Sequence, residues 1–529
     1  MKKEAKHSGK IAKSASTVSA AVMCSRVLGL IREQIFAGMF GAGLAYDAFV
    51  VAFRIPNLLR DLFAEGALSA AFITVFTDYD TNKSQKETWQ LASNVLVFFG
   101  ILLSCLTLLG MFFADSLVQL LASNFSAVPG KTELTILLTR VMLPFLVFIS
   151  LSAVFMGILN AKGKFFVPAM ASAFFNMGSI VGGVSFAFIL PKFGYPAITG
   201  MAMGTLLGGI LQLSMQIPTL RKCGFRFTPG LRINDPGLKR IITLMIPAII
   251  GLSPTQINIF INTNFASSCA EGSVSWLNYA FRLVQLPIGV FGVALSIAAM
   301  PVLARHAAKK DLSGMKETMV SSLTMVFSLT IPASIGLILL AEPIIRIIFE
   351  RGAFTSFDTV ATANTLSFYA IGLFAYSSNK ILVPVFYALE DTKYPLYGAF
   401  LAVASNIIFI TLTIDSLQHL AIALSTSCSM MLNFLFLSTV LYVKTKGYSL
   451  SYLAIALAKI SVAGAVMAAF LFWAKDLLHP YLNGNLLQSI PALIFIIGVS
   501  AALYGMLLQL TKLNEFTSVT SKIYAKFKR

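Results

Sequence analysis

Apolar stretches of about 20 residues recur from one end of the chain to the other, each long enough to cross a hydrocarbon core of roughly 30 Å. Their spacing predicts about 14 membrane-spanning helices, centred near residues 28, 60, 102, 147, 178, 207, 252, 290, 328, 373, 404, 431, 463 and 499. The second and eighth are the most polar. No polar stretch between them exceeds about 25 residues, so no soluble domain is expected. The N-terminus (Met1–Lys13) is basic but lacks a short apolar region with a small-residue cleavage site, and no cleaved signal peptide is expected.

The pattern repeats. AFRIPNLLRDLFAEGALSAAFITVF (Ala52–Phe76) parallels AFRLVQLPIGVFGVALSIAAMPVL (Ala280–Leu303), which pairs the second span with the eighth. Six spans per repeat is an even number, so both halves share one orientation and are related by an axis along the membrane normal, with a transport site expected between them near the midplane. The expected fold is an all-α polytopic membrane protein with two pseudo-symmetric six-helix lobes and two extra C-terminal helices. The boundaries are a basic cytoplasmic N-terminus (1–16), an N-lobe (17–222), a basic cytoplasmic linker (223–237), a C-lobe (238–445), two further spans (446–512) and a basic cytoplasmic C-terminus (513–529).

Composition agrees with burial in lipid: 57% of residues are hydrophobic, only 12% are charged, and mean hydropathy is +0.81. The net charge of +18 suggests nucleic acid until its distribution is considered. With the N-terminus inside and an even number of spans, most Lys and Arg fall in cytoplasmic segments, among them Lys2–Lys13, Arg221–Arg240, Arg305–Lys316 and Lys512–Arg529. That is the positive-inside bias, aided by attraction to anionic membrane lipids, and it places both termini in the cytoplasm with no nucleic-acid partner. The five cysteines are scattered, with no CxxC pair and no disulfide framework.

The informative residues are those that break the apolar pattern. Arg26, Arg32, Glu33, Asp47, Arg54, Arg60, Asp61 and Glu65 all sit in the first two spans. A charge at the bilayer centre costs roughly 3 kcal/mol on insertion scales, so such groups face water or one another. At about 100° per residue, Asp47, Arg54, Asp61 and Glu65 form one polar stripe. Arg60 lies off that stripe unless Pro56 kinks the helix. Arg26 and Glu33 share a face of span 1, with Gly29 between them permitting a bend. In span 8, Asn278, Arg282, Gln285 and Gly289 share another. Internal ion pairs are the plain reading for Glu33, Asp47, Arg54, Asp61 and Glu65. The planar forks of Arg26, Arg32, Arg60 and Arg282 suit phosphate and favour substrate contact. Asn278, Gln285 and Lys380 are expected to line the same cavity, whereas Arg140 and Lys459, near span ends, can snorkel.

Catalytic chemistry is hard to find. The four histidines lie in loops or at span ends without metal-ligand spacing, no metal site is expected, and no GxxxxGK[ST] loop for ATP is present. Asp78 and Asp80 read as a solvated loop beside Lys83 and Lys86. No cofactor is expected; an ion gradient or the membrane potential is the available driving force, worth roughly 2.3 kcal/mol per charge per 100 mV.

SRVLGLIREQIFAGMFGAG (Ser25–Gly43), DAFVVAFRIPNLLRDLFAEGALSAAFI (Asp47–Ile73), NTNFASSCAEGSVSWLNYAFRLVQLPIGVFGVAL (Asn262–Leu295) and FERGAFTSFDT (Phe349–Thr359) closely resemble the MurJ (MviN) family of the multidrug/oligosaccharidyl-lipid/polysaccharide exporter superfamily. The resemblance implies a bacterial inner-membrane flippase for lipid II, the undecaprenyl-pyrophosphate-linked peptidoglycan precursor. It implies cavity arginines at Arg26, Arg32, Arg60 and Arg282, acids at Asp47 and Glu65, and a groove for the polyprenyl tail in spans 13–14. Where close relatives carry acids beside the span-8 arginine, this chain has Phe281 and Gln285, which makes Glu65 the candidate partner of Arg282. Sodium or proton coupling stays open, with no ligands assigned, as do partners among the cell-wall synthesis or division proteins. The rival readings are a polysaccharide-unit or drug/cation exporter of the same superfamily, a cell-wall scaffold that transports nothing, and, third, a membrane glycosyltransferase.

Overall fold

The computed structural model describes the backbone of residues 2–517 and their side chains, except those of residues 2–17, 19 and 63–65. The chain is a succession of helices, as lipid demands, because a spanning segment must satisfy its own backbone hydrogen bonds. It begins with α1 (Lys2–Phe40), α2 (Leu44–Arg60), a π-helical segment (Asp61–Leu68) and α3 (Ser69–Asn82). Then come α4 (Gln85–Phe112), α5 (Ala114–Leu121), α6 (Lys131–Met142), α7 (Phe145–Ala161), α8 (Phe166–Ile189), α9 (Ile198–Ser214) and α10 (Ile217–Lys222). Next are α11 (Pro236–Ser267), α12 (Ser273–Pro287), a second π-helical segment (Ile288–Val293), α13 (Ala294–Ala308), α14 (Leu312–Leu339) and α15 (Ala341–Phe349). The rest are α16 (Ser356–Ile371), α17 (Leu373–Ala388), α18 (Lys393–Leu417), α19 (His419–Lys444), α20 (Leu450–Leu477), α21 (His479–Leu482) and α22 (Leu486–Leu510). No strand occurs among the described residues, as the sequence predicts.

Polar residues just outside the apolar runs start the helices. Ser84 and Glu87 form a reciprocal capping box on α4, and Thr355 and Asp358 do the same on α16. Among the described residues, eleven helical segments are long and apolar enough to span a membrane, fewer than the fourteen spans expected. The expected spans near residues 28, 60 and 373 fall short for local reasons. The stretch near residue 28 carries Arg26, Arg32 and Glu33, α2 carries Asp47, Arg54 and Arg60, and Gly372 separates α16 from α17.

The repeat is visible in the element boundaries. A separation of 227 residues relates Gln85 to Leu312, Ala114 to Ala341, Phe166 to Lys393, and the starts of the two π-helical segments, Asp61 and Ile288. By packing, the chain divides into two compact units at Val274/Ser275. The sequence division, made on the repeat, starts the second lobe at residue 238. In the structure α11 packs in the first unit, against the first π-helical segment, α3, α4 and α5. Gly66 allows this closeness: a Cβ there would lie 2.3 Å from Leu252 Cδ1 on α11.

The first unit's core joins Phe72 and Phe76 of α3 to Trp89 and Leu91 of α4, Val154 and Ile158 of α7, and Ile241 of α11. Beside it, α8 and α9 meet backbone to backbone along a glycine seam, where a Cβ on Gly204 would lie 2.4 Å from Gly183 N. The second unit's core runs through Val326, Phe386, Leu437, Leu471 and Leu508, so α20 and α22 are packed into that unit.

Asp78 and Asp80, expected in a solvated loop, instead lie on α3 and are paired. Arg240 Nη1 meets Asp78 Oδ2 at 2.5 Å, and Lys162 Nζ meets Asp80 Oδ1 at 2.5 Å. The helix continues past the apolar run because those partners come from α11 and α7, far away in sequence. Between α13 and α14, Asp311 accepts from Gly314 N at 2.9 Å and sits 2.8 Å from His306 Nδ1.

Gly204→Leu forces the α8–α9 backbones apart and should lower the thermal midpoint of the detergent-solubilised protein, at a cost of about 1–3 kcal/mol. The Gly314 amide, with His306 beside it, holds the Asp311 carboxyl below its ordinary 3.8. A depressed carboxylate stabilises the fold fully above its unfolded pKa and loses that contribution as pH falls through the folded value. Thermal midpoints of wild type and Asp311→Asn should therefore differ at pH 6 and draw together as pH falls below the ordinary carboxylate range.

Candidate functional site

In the first unit the charged residues fall into three groups. The first joins α1 to the start of α2. Arg32 and Phe36 are four residues apart on α1, so the guanidinium lies over the Phe36 ring, 5.9 Å from its centroid, and is flanked by Phe175 of α8 at 5.4 Å. Arg32 Nη2 donates to Glu33 Oε1 at 2.8 Å, while Arg32 Nε is buried with no hydrogen-bond partner. Tyr46 OH donates to Glu33 Oε2 at 2.8 Å, and Glu33 is 4% exposed. Helical phase puts Glu33 with Arg26. In the structure it bonds Arg32 and Tyr46, because the Gly41–Gly43 turn brings the first turns of α2 beside α1. Arg26 itself is exposed on α1, one residue after Ser25, whose carbonyl accepts from Asn176 Nδ2 at 3.0 Å.

The second group surrounds Asp47, near the start of α2. Lys131 Nζ, from the first residue of α6, donates to Asp47 Oδ2 at 2.8 Å, and Gly272 N donates to the same oxygen at 2.9 Å. Lys131 lies over the Phe125 ring at 4.3 Å. Close by, Leu44 N donates to Glu271 Oε1 at 2.8 Å. The expectation that Asp47 forms an ion pair holds, but the partner was not read from the sequence. A lysine at a helix start looks like one more loop charge, and 84 residues separate the two.

The third group lies at the junction of α2 with the π-helical segment. Arg60 Nε and Nη2 both donate to Asp61 Oδ1, at 3.1 and 2.9 Å, and Gln256 Nε2 of α11 approaches Asp61 Oδ2 at 3.5 Å. Of the predicted stripe, Asp47 and Arg54 lie on α2 and Asp61 opens the π-helical segment. α2 runs through Pro56 as helix, and the change of phase comes at Asp61, where wider π turns replace α turns. Arg60, predicted to lie off the stripe, is the partner of its chain neighbour Asp61. Arg54 is half-buried on α2. Glu65 lies outside the residues with described side chains.

In the second unit, Asn278 and Arg282 are half-buried on α12 and Gln285 is exposed, whereas Gly289 already belongs to the second π-helical segment. The Phe281 ring lies tilted against Tyr369 and edge-on to Tyr376, at 5.3 and 6.5 Å between ring centroids. Lys380 is exposed on α17, and its carbonyl accepts from Ser296 Oγ at 2.7 Å. Asp358, 227 residues after Lys131, accepts from Trp276 Nε1 at 2.9 Å and caps α16. The repeat thus carries a cation at the start of α6 and an anion in the first turn of α16. Among the described residues, no group of three or more His, Cys, Asp or Glu side chains is placed to hold a metal ion.

Paired and aromatic-flanked arginines on membrane helices are the chemistry for binding an anion within a bilayer. The family model described as Lipid II flippase MurJ matches residues 36–492. The chain belongs to the MurJ family. It is 35% identical over 522 residues to the probable lipid II flippase MurJ of Vibrio cholerae, covering 97% of this chain and 99% of that one. A solved structure of a lipid II flippase MurJ in its inward closed conformation superposes with a TM-score of 0.77 at 28% identity, covering 94% of this chain and 98% of the other. An inward-facing multidrug resistance MATE family transporter shares the fold, with a TM-score of 0.65 at 16% identity over 82% of this chain and 99% of its own. The region matched to the MurJ family holds Asp47, Arg60, Lys131 and Arg282, and begins just after Arg32 and Glu33.

Removing the acid of the first group strands a guanidinium that is 11% exposed. Glu33→Ala should therefore destabilise the first unit by about 3 kcal/mol, whereas Tyr46→Phe, which removes one bond to a charged group, should cost about 2 kcal/mol. Thermal unfolding of the purified variants checks both; equal midpoints for Glu33→Ala and wild type would contradict the pairing.

Proposed function

We propose that this chain is a flippase that carries lipid II from the cytoplasmic to the periplasmic leaflet of the bacterial inner membrane by alternating access. The carrying observation is its MurJ-family membership, from residue 36 to 492, on an all-helical fold with eleven membrane-length helices among the described residues. The pyrophosphate is the part of such a substrate that cannot cross hydrocarbon unaided. Arg26, Arg32 and Arg60 in the first unit and Arg282 in the second are its ligands in this reading, because a guanidinium fork matches phosphate geometry. Arg26 is exposed, which suits a residue that meets substrate. Arg32 and Arg60 are held by Glu33 and Asp61 until substrate competes for them.

The acids act as internal counter-ions. Glu33, Asp47 and Asp61 each bond a cation within the first unit, which supports a gating role in which pairs break and reform during the cycle. Glu65 is proposed as the partner of Arg282, and Asn278, Gln285 and Lys380 as further lining. Exposed apolar side chains on α20 and α22, among them Val462, Phe472, Ile494 and Met506, are compatible with a surface for the polyprenyl tail. Both termini are cytoplasmic in this reading, no bond of the substrate is made or broken, and the membrane potential or an ion gradient supplies the energy.

Expressed in a bacterium depleted of its own lipid II flippase, the wild-type chain should restore growth and externally accessible lipid II. Arg282→Ala, at matched membrane levels, should lower that accessible pool at least ten-fold, the effect of losing roughly 1.4 kcal/mol or more of substrate interaction. Failure of well-expressed wild type overturns the substrate, and full activity of Arg282→Ala overturns that residue's role.

A further inference from the structure

Asp47 is 1% exposed, and a carboxylate so buried stays charged only beside a counter-ion. Its two described partners for Oδ2 differ in kind. Lys131 belongs to α6, which packs along α2, so its ammonium travels with Asp47. It is itself 3% exposed and is fixed from the other side by the Phe125 ring. Gly272 belongs to the short turn between α11 and α12, the turn that carries the chain into the second unit. Its φ of +92° is open to glycine and strained for other residues. That conformation turns its amide toward Asp47. The same turn is held once more at the N-terminus of α2, through Glu271 and Leu44 N.

A hydrogen bond to an ionised acceptor is roughly twice as strong as one to a neutral acceptor. Whether Asp47 grips the turn strongly therefore depends on its carboxylate being aimed at the Gly272 amide, and Lys131, bonded to the same oxygen, sets that aim. We propose that Lys131 is a positioning residue for a latch: it keeps the Asp47 carboxylate aimed, so that Asp47 holds the 268–272 turn against the end of α2 and releases it as a unit during the transport cycle. This rests on the flippase reading for its role in the cycle, although the latch itself can be tested without substrate. The repeat argues for a specific device, since the equivalent position in the second unit is Asp358, bonded to an indole N–H.

The turn contains its own reporter. Cys269 is half-buried, its Sγ lies 3.5 Å from Phe265 O, and burial pushes its thiol up to about 11, so it reacts slowly while the turn is held. In the full chain with Cys24, Cys105, Cys223 and Cys428 replaced by serine, labelling of Cys269 by a membrane-impermeant maleimide is measured in intact cells. Lys131→Met should raise the labelling rate on the order of ten-fold, Asp47→Asn should do the same, and Lys131→Arg should restore the slow rate. The double variant Asp47→Asn/Lys131→Met leaves no buried charge unpaired and so folds even where Lys131→Met does not. It should label no faster than the faster single variant, but well above wild type. A wild-type rate in the double variant overturns the latch. Labelling from everted vesicles instead of cells, with the same dependence on Lys131, supports the latch and overturns the membrane orientation of the flippase reading.

Discussion

A charge in hydrocarbon must bring its partner with it, and this constraint organises the first unit. Its helices keep Arg32 with Glu33, Asp47 with Lys131, and Arg60 with Asp61, at 2.8, 2.8 and 2.9 Å. Two of these pairs are between chain neighbours, which costs little chain entropy and leaves the remaining lone pairs for distant groups. Tyr46 and Gln256 take up those lone pairs and so tie α1 to α2, and α2 to α11. Asp47 has no cation beside it in sequence and draws one from α6 instead. Apolar packing between helices is nondirectional, whereas these pairs are directional, and they set where α1, α2, α6 and α11 meet.

The two π-helical segments are the second organising feature. They begin 227 residues apart, in the most polar span of each repeat. A π turn widens the helix and leaves space that a close neighbour can enter. Gly66 and Gly292 lie within the two segments, and a Cβ on them would come to 2.3 Å from Leu252 Cδ1 and 3.0 Å from Ser377 Cα respectively. The wide turns and the missing side chains together let α11 and α17 approach.

Family likeness and physical reading contribute different things. Membership in the MurJ family and the shared fold with a MATE transporter describe the scaffold. The local chemistry belongs to this chain: the rings of Tyr369 and Tyr376 lie against Phe281, the residue before Arg282.

Much of the architecture was legible along the chain, because hydrophobic length and repeat spacing are one-dimensional properties. The all-α class, the repeat offset and the charged residues worth attention come directly from residue order. So does the ion-pairing character of Glu33, Asp47 and Asp61, since an acid in a span needs a cation somewhere. Which cation it finds is a three-dimensional matter. Lys131 is 84 residues from Asp47, Gly272 is 225 residues away, and Asp78 and Asp80 take their cations from α11 and α7. No residue type announces a π turn, so the phase of α2 beyond Arg60 was equally hidden. The sequence by itself determined that charges lie within the membrane and must be neutralised; only the tertiary structure decided the pairings, because hydrogen bonds act over about 3 Å while the partners meet through helix packing that residue order does not record.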